Sequence, residues 1–417
     1  MNLYRLELKR VCKTRMTAIL LAIALVLAVV MAYLPVTFIG WTELDASGNK
    51  VSYTGLKAIR KRQEQQVSGT ITPDVMQEAL EAYQRVYRQH DASSINDIPV
   101  EVFYKELARY QPLVNNAKEA FADSKTGMAP GVMGLTAEDM QNFYSQLPKR
   151  LESVIWLEQS GKPGYEQAQA IAQKKFDAVQ KPFTYSFGVS SDAMDYQTLL
   201  SLLLTLLCAV IAAPVFASDA QTGAQDIQLC TKNGGLRLAA AKLAAAFSIT
   251  GAAYLLCGVV WILVTNALFG WESTKTSVQW LFSVTSLLPY TVGQMEWVML
   301  VANFLIFFAE VAFVLMASVW AKNNLTALSV ALISVVAPLI VYMVVPGSFG
   351  EWLSTLLPAG GIGLSNALMY KMISFDFLYA GGHAFFQADV LLASAPVKIV
   401  LLVGLAAWGY LRKTKVA

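Results

Sequence analysis

Six long stretches of the chain are almost free of charged side chains, and between the first two lies an interval of different texture. Residues 16–42, 196–218, 243–271 and 323–350 carry no charge; 297–321 carries only Glu310, and 390–411 only Lys398. About 20 apolar residues cross the roughly 30 Å hydrocarbon layer as a helix, where each backbone N–H and C=O must be bonded internally. The pattern predicts an α-helical polytopic membrane protein with six transmembrane helices. The first stretch follows basic residues, as a secretory signal would. It is too long for one, however, and runs into Tyr33-Leu34-Pro35 without a small-x-small cleavage site, so it reads as an uncleaved anchor.

The interval 41–195 shows the period of amphipathic helices. Thr72-Pro73-Asp74 supplies an N-cap, a proline at the first helical position and an acid in the first turn. Met76, Leu80, Tyr83, Val86 and Tyr87 then recur at helical spacing. Thr136 and Asp139 make a capping-box pattern ahead of Met140, Phe143, Leu147, Leu151, Val154 and Ile155. A third stretch carries Ala168, Ile171, Ala172, Phe176 and Val179. Turns are expected at 45–49 and 127–134, and short strands near 183–189. The expected result is a mainly helical domain. Tyr83, Tyr87, Phe103, Tyr104, Phe143 and Tyr144 read as core aromatics, with a ligand groove as the alternative. Glu101/Glu106 and Glu119/Asp123 read as surface pairs.

Composition sharpens this division. The 417 residues are 55% apolar and 15% charged, which excludes a wholly soluble enzyme and a disordered chain. Residues 41–195 hold 17 Lys/Arg and 20 Asp/Glu, against 15 and 9 in the remainder. None of the four cysteines lies in the polar domain, so it has no disulfide. A net charge of +3 without a basic face argues against nucleic acid. No spacing of His and Cys suggests a metal site.

Placing the first residue inside puts twelve Lys/Arg of the short connecting segments and termini on the inner side, including Arg5, Arg10, Lys232, Lys242, Lys322 and Lys415. Only Lys275, Lys371 and Lys398 fall outside. This asymmetry predicts cytoplasmic termini and an extracytoplasmic 41–195 domain. Residues 1–15 read either as an amphipathic helix lying in the inner headgroup region, with Leu3, Tyr4, Leu8, Val11 and Cys12 on one face, or as a plain basic flank.

The segment following the second span contains Phe216, Asp219, Gly223, Leu229 and Thr231, then Gly234-Gly235, Arg237 and Lys242. This spacing resembles the first cytoplasmic segment of ABC-2-type permeases, the membrane halves of ATP-binding-cassette exporters. The shared pattern is an aromatic, an acid three residues on, a glycine, a leucine-rich turn and a lysine entering the next helix. Asp219 stands where the family commonly has Glu, and Ala224 where it commonly has Thr. The layout of six spans with a large external insert between the first two is also found in that family.

The apolar pattern and charge placement divide the chain into a lead-in helix (1–15), a first span (16–40), an external domain (41–195), a second span (196–218) and four further spans (238–417, with external loops), and the resemblance makes 219–237 a coupling segment. It implies that Phe216, Asp219, Gly223, Leu229, Thr231 and Lys242 couple the spans to a separate ATPase subunit. No GxxxxGK[ST] loop occurs, so this chain is expected to bind no nucleotide. ATP and Mg belong to the partner. A second permease copy or related permease, membrane lipids and an amphipathic or lipid-like substrate in a prokaryotic plasma membrane are further implications.

Glu310 stands alone in the fourth span. It is either a pathway or helix-contact residue, or a structural carboxyl protonated or bonded to Asn303 two turns earlier. The rival readings are an ion-coupled secondary carrier, which wants several intramembrane ionisable groups, and a membrane-anchored receptor or assembly protein.

Overall fold

The computed structural model describes residues 3–44 and 49–414. The expected turn at 45–48 and Lys415 therefore lie outside the described residues. Six helices are long and apolar enough to cross a membrane: Arg15–Thr37, Ser191–Gln221, Leu236–Phe269, Val292–Trp320, Asn324–Val344 and Gln387–Lys413. The protein is mainly helical, as its apolar pattern predicts.

The spans are unequal. Spans two and four form the middle of the bundle, and span four packs against spans two, three, five and six. The most apolar window of span four is 67% buried within the protein, whereas that of span six is only 17% buried. Side chains such as Ile333, Met343, Val400 and Leu401 consequently face outward. An apolar face costs nothing in lipid, so spans five and six need only one protein-facing side.

Two proline sites shape the bundle. Span two is interrupted at Ala213, where Pro214 starts a new helix, Pro214–Gln221. Proline brings no N–H and cannot continue the preceding ladder. Span five was expected to run uninterrupted to residue 350. It instead ends at Val344, and Pro346 leads into a separate helix, Gly347–Leu356. The chain then forms the short helix Leu368–Ile373 and a hairpin of Phe377–Ala380 with His383–Phe386 before entering span six.

Between spans one and two lies the polar domain. Its helices include Leu56–Gln65, Pro73–Gln89, Gln111–Ala120, Phe143–Gln159 and Tyr165–Asp177. Thr72 caps the second of these, with its hydroxyl accepting from Val75 N–H at 3.4 Å. The Thr136/Asp139 capping box is closed in both directions, at 3.1 and 2.8 Å. Met76, Leu80, Tyr83, Val86 and Tyr87 are buried, as are Phe143, Leu147, Leu151, Ala172 and Phe176.

The hairpin Gly40–Leu44 with Lys50–Thr54 has no counterpart in the sequence reading. Its signal was the alternation of Val51 and Tyr53 after a turn-rich stretch. Thr184–Tyr185 pairs with Gly69–Thr70, inside the interval where short strands were expected. Tyr83, Tyr87 and Phe143 are core residues, while Phe103, Tyr104 and Tyr144 are half-buried against that core. Tyr144 donates to the Ile71 carbonyl at 2.5 Å and accepts from the Phe183 N–H.

Candidate functional site: buried charges along the bundle

At the end of the bundle opposite the polar domain, three sequence-predicted residues meet. Asp219 lies on the helix after Pro214, and Lys242 on the second turn of span three. Lys242 Nζ is in direct contact with Asp219 Oδ2, and its side chain is fully buried. Gln228 Oε1 accepts a second hydrogen bond from the ammonium at 3.0 Å. Phe216 and Tyr410 place their rings 5.4 and 6.0 Å from that nitrogen, a cation–π arrangement.

The lead-in helix Leu3–Cys12 supplies the residue that sequence reasoning missed. Arg10 donates to both Asp219 oxygens, at 2.8 and 3.0 Å, and to the Val215 carbonyl at 3.0 Å. Glu7 lies 2.9 Å from Arg10 Nε. Two acids thus balance two bases in one cluster, and each buried charge has an opposite neighbour. This changes the lead-in helix: its buried face carries Glu7 with Val11, while Cys12 is exposed. Arg10 was read as one of several membrane-flanking bases, and nothing local distinguishes it from Arg5 or Lys9.

Ser318 of span four completes the cluster's scaffold. Its hydroxyl accepts from the N–H groups of Phe216 and Ala217, at 3.0 and 3.1 Å, and donates to the Ala213 carbonyl at 2.6 Å. One side chain therefore satisfies the backbone groups that the break at Pro214 leaves open.

The remaining predicted positions play different parts. Asp219, one of the residues expected to couple the spans to a partner, is buried against bases of its own chain. Gly223 adopts a left-handed conformation, with φ +71°, at the turn before the helix Ala224–Leu229. Open space surrounds it, so the backbone turn rather than close approach requires glycine. Close approach applies at Gly234, where a Cβ would stand 1.7 Å from the Gln228 carbonyl oxygen. Leu229 is half-buried, and Thr231 is exposed with its hydroxyl donating to the Gln228 carbonyl. Asp226, Ile227, Lys232, Leu236 and Arg237 form an exposed, mixed rim beside them; Ile227 is 74% exposed.

Compared with models of protein families and with curated proteins, the chain matches none.

Deeper in the bundle, Glu310 is fully buried and accepts a hydrogen bond from Ser334 of span five at 2.5 Å. The anticipated bond to Asn303 is not the one formed. Seven helical positions separate the two by about 10 Å along the axis, too far for a direct contact. Asn303 is buried but lies elsewhere on the fourth span. Lys398 of span six also acts on Glu310 by its charge. The Lys398 ammonium itself donates to the carbonyls of Thr355 and Leu357, at 3.1 and 3.0 Å. A cation at the end of Gly347–Leu356 complements the helix dipole.

Span four holds a second carboxylate. The sequence reading began this span at residue 297, but the helix starts at Val292 and takes Glu296 into the bundle. Thr291 caps it through a closed box with Gln294, a signal that could have moved the boundary. Glu296 is fully buried. Asn266 of span three donates to its Oε2 at 2.6 Å, and Gln197 of span two donates to its backbone carbonyl at 2.9 Å.

One acid of the polar domain also departs from expectation. Glu119 was paired with Asp123 as a surface charge, but it accepts from Ser283 at 2.5 Å, in the connection between spans three and four. Burial raises its carboxyl above the usual range, opposed by the Ser283 hydrogen bond. Asp123 does face solvent, closing a turn through Thr126.

Proposed function

We propose that this chain is the permease subunit of an ATP-binding-cassette exporter, driven by a separate ATPase. The supporting observation is the cluster around Asp219. It ties the start of the 219–237 segment to the lead-in helix and to spans two, three, four and six, and reaches further along it through Gln228, while leaving the rim from Asp226 to Arg237 exposed. A segment held this firmly can pass a partner's movement into the bundle as a two-state shift. Two permease halves and two ATPase subunits would make the working unit, with an amphipathic or lipid-like substrate. The Lys/Arg asymmetry supports cytoplasmic termini and an external 41–195 domain in a prokaryotic plasma membrane.

Affinity purification of the full chain from its native membrane tests the proposal. An ATP-binding-cassette subunit should co-purify, and ATP hydrolysis should require it. Charge reversal on the exposed rim, with Lys232→Glu and Arg237→Glu together, should release the ATPase while the chain still inserts. Strong ATP hydrolysis by the isolated chain, or a complex indifferent to the rim, overturns the reading.

A second reading draws on one specific observation. Glu296 and Glu310 place two buried carboxylates on a single span, and Lys398 sits on another. Intramembrane ionisable groups of this kind favour an ion-coupled carrier. Transport that persists without ATP and collapses with the ion gradient would select it.

A further inference from the structure

The surroundings of Glu296 are short of positive charge and of donors. Among the described residues no basic side chain forms an ion pair with it, whereas Asp219 has two such partners and Glu310 lies in the field of Lys398. Among the described residues only one donor, Asn266 Nδ2, reaches its carboxylate. Three oxygens of the cluster remain without hydrogen-bond partners: Glu296 Oε1, Asn266 Oδ1 and Gln197 Oε1. All three residues are more than nine-tenths buried. They come from three different spans and are joined through Glu296 itself, by the 2.6 Å and 2.9 Å contacts described above.

A buried carboxylate without a counter-charge is costly, and so is each amide oxygen held away from water. A proton on Glu296 would neutralise the charge but could satisfy only one of the two amide oxygens. A small metal cation would neutralise the charge and offer a partner to oxygens that have none. The donor set is oxygen only, without thiolate or imidazole, which selects a hard ion. A single carboxylate balances a single positive charge. We propose that Glu296, Asn266 and Gln197 form a binding site for one sodium ion, located where spans two, three and four meet near the polar-domain end of the bundle. The site goes beyond the proposed function and does not depend on which transport reading is correct.

Two measurements on the purified full-length protein test it. The first is direct binding of radioactive sodium at fixed pH, with choline chloride holding ionic strength constant. Saturable binding near one ion per chain is expected, displaced by excess NaCl and not by choline. Glu296→Gln retains the shape and the Asn266 contact but removes the charge, and should weaken binding about tenfold or more. Asn266→Ala is the second variant, should Glu296→Gln fail to fold. The second measurement is the unfolding temperature, which should rise with sodium concentration in the wild type because the ion binds only the folded state. In Glu296→Gln it should be flat. Absence of saturable sodium binding overturns the site, as does binding unchanged by both variants. Stability that ignores sodium but falls as pH rises overturns it too, and identifies Glu296 as a protonated carboxyl.

Discussion

Two ends of the same bundle treat buried charge in opposite ways. At the end carrying the lead-in helix, Asp219 is enclosed by Arg10 and Lys242, and Glu7 balances the remaining charge. At the polar-domain end, Glu296 has a single amide donor and no base among the described residues. Glu310 stands between these cases, with a hydroxyl donor and the charge of Lys398 but no ion pair to it among the described residues. A charge met by opposite charge from its own chain is fixed in the fold. A charge met only by dipoles needs something from outside. The comparison thus separates the residues expected to hold the protein together from those expected to bind and release a small ion.

The sharpest way to break the comparison is to remove the acid at the paired end. Asp219→Ala leaves the buried Lys242 without an acid while Arg10 keeps only Glu7, and should cost about 3–5 kcal/mol. Thermal unfolding of the detergent-purified chain measures this. Adding Lys242→Met should recover most of the loss, since Arg10 stays paired with Glu7 and no buried base is then left alone. No loss from the single change would mean that the cluster is solvated.

Smaller effects follow at the positions holding these groups in place. Ser318→Ala strands the N–H groups of Phe216 and Ala217, at about 1–3 kcal/mol; amide hydrogen exchange at both residues should quicken. Glu310→Gln keeps an acceptor for Ser334 and should shift stability by less than about 1 kcal/mol. If Glu310 serves transport, that variant should reduce transport in vesicles far more than it alters unfolding. Gly223→Ala forces a side chain into left-handed backbone and should cost about 1–2 kcal/mol, while leaving the Asp219 cluster formed.

The least perturbing test compares these groups with a carboxylate outside the membrane. Burial raises Glu119 above its ordinary value of 4.5. The folded state therefore holds its proton more tightly than the unfolded chain. The stability this contributes is complete below the unfolded value and is lost as pH rises through the folded one. Glu119→Gln should flatten that decline in pH-dependent unfolding curves. A curve unchanged by the substitution would place Glu119 in contact with water.

The spans were legible because lipid allows few solutions: an uncharged run of sufficient length must be a helix. The domain helices were legible from period and caps, since Thr72, Thr136 and the buried faces of Met76–Tyr87 act within a few residues of each other. The hairpin at Gly40–Thr54 was partly legible in its alternation, but a strand of five residues gives too weak a signal to stand against helical neighbours. Phe216, Asp219 and Lys242 could be picked out as a spaced set without any indication that they touch.

What the sequence by itself determined is the set of conditions local to each segment: which runs are too apolar for water, where helices begin, and which turns need glycine. What only the tertiary structure decided is which partners the polar groups find. Arg10 and Asp219 are 209 positions apart, Ser318 and Phe216 are 102 apart, and Gln197 and Glu296 are 99 apart. The Thr291/Gln294 capping box near Glu296 can place it in the helix, but not among spans two and three. Its state depends on helices brought to it from elsewhere in the chain. A buried charge is stabilised by the opposite charges and hydrogen-bond donors placed around it, and those are supplied by distant sequence.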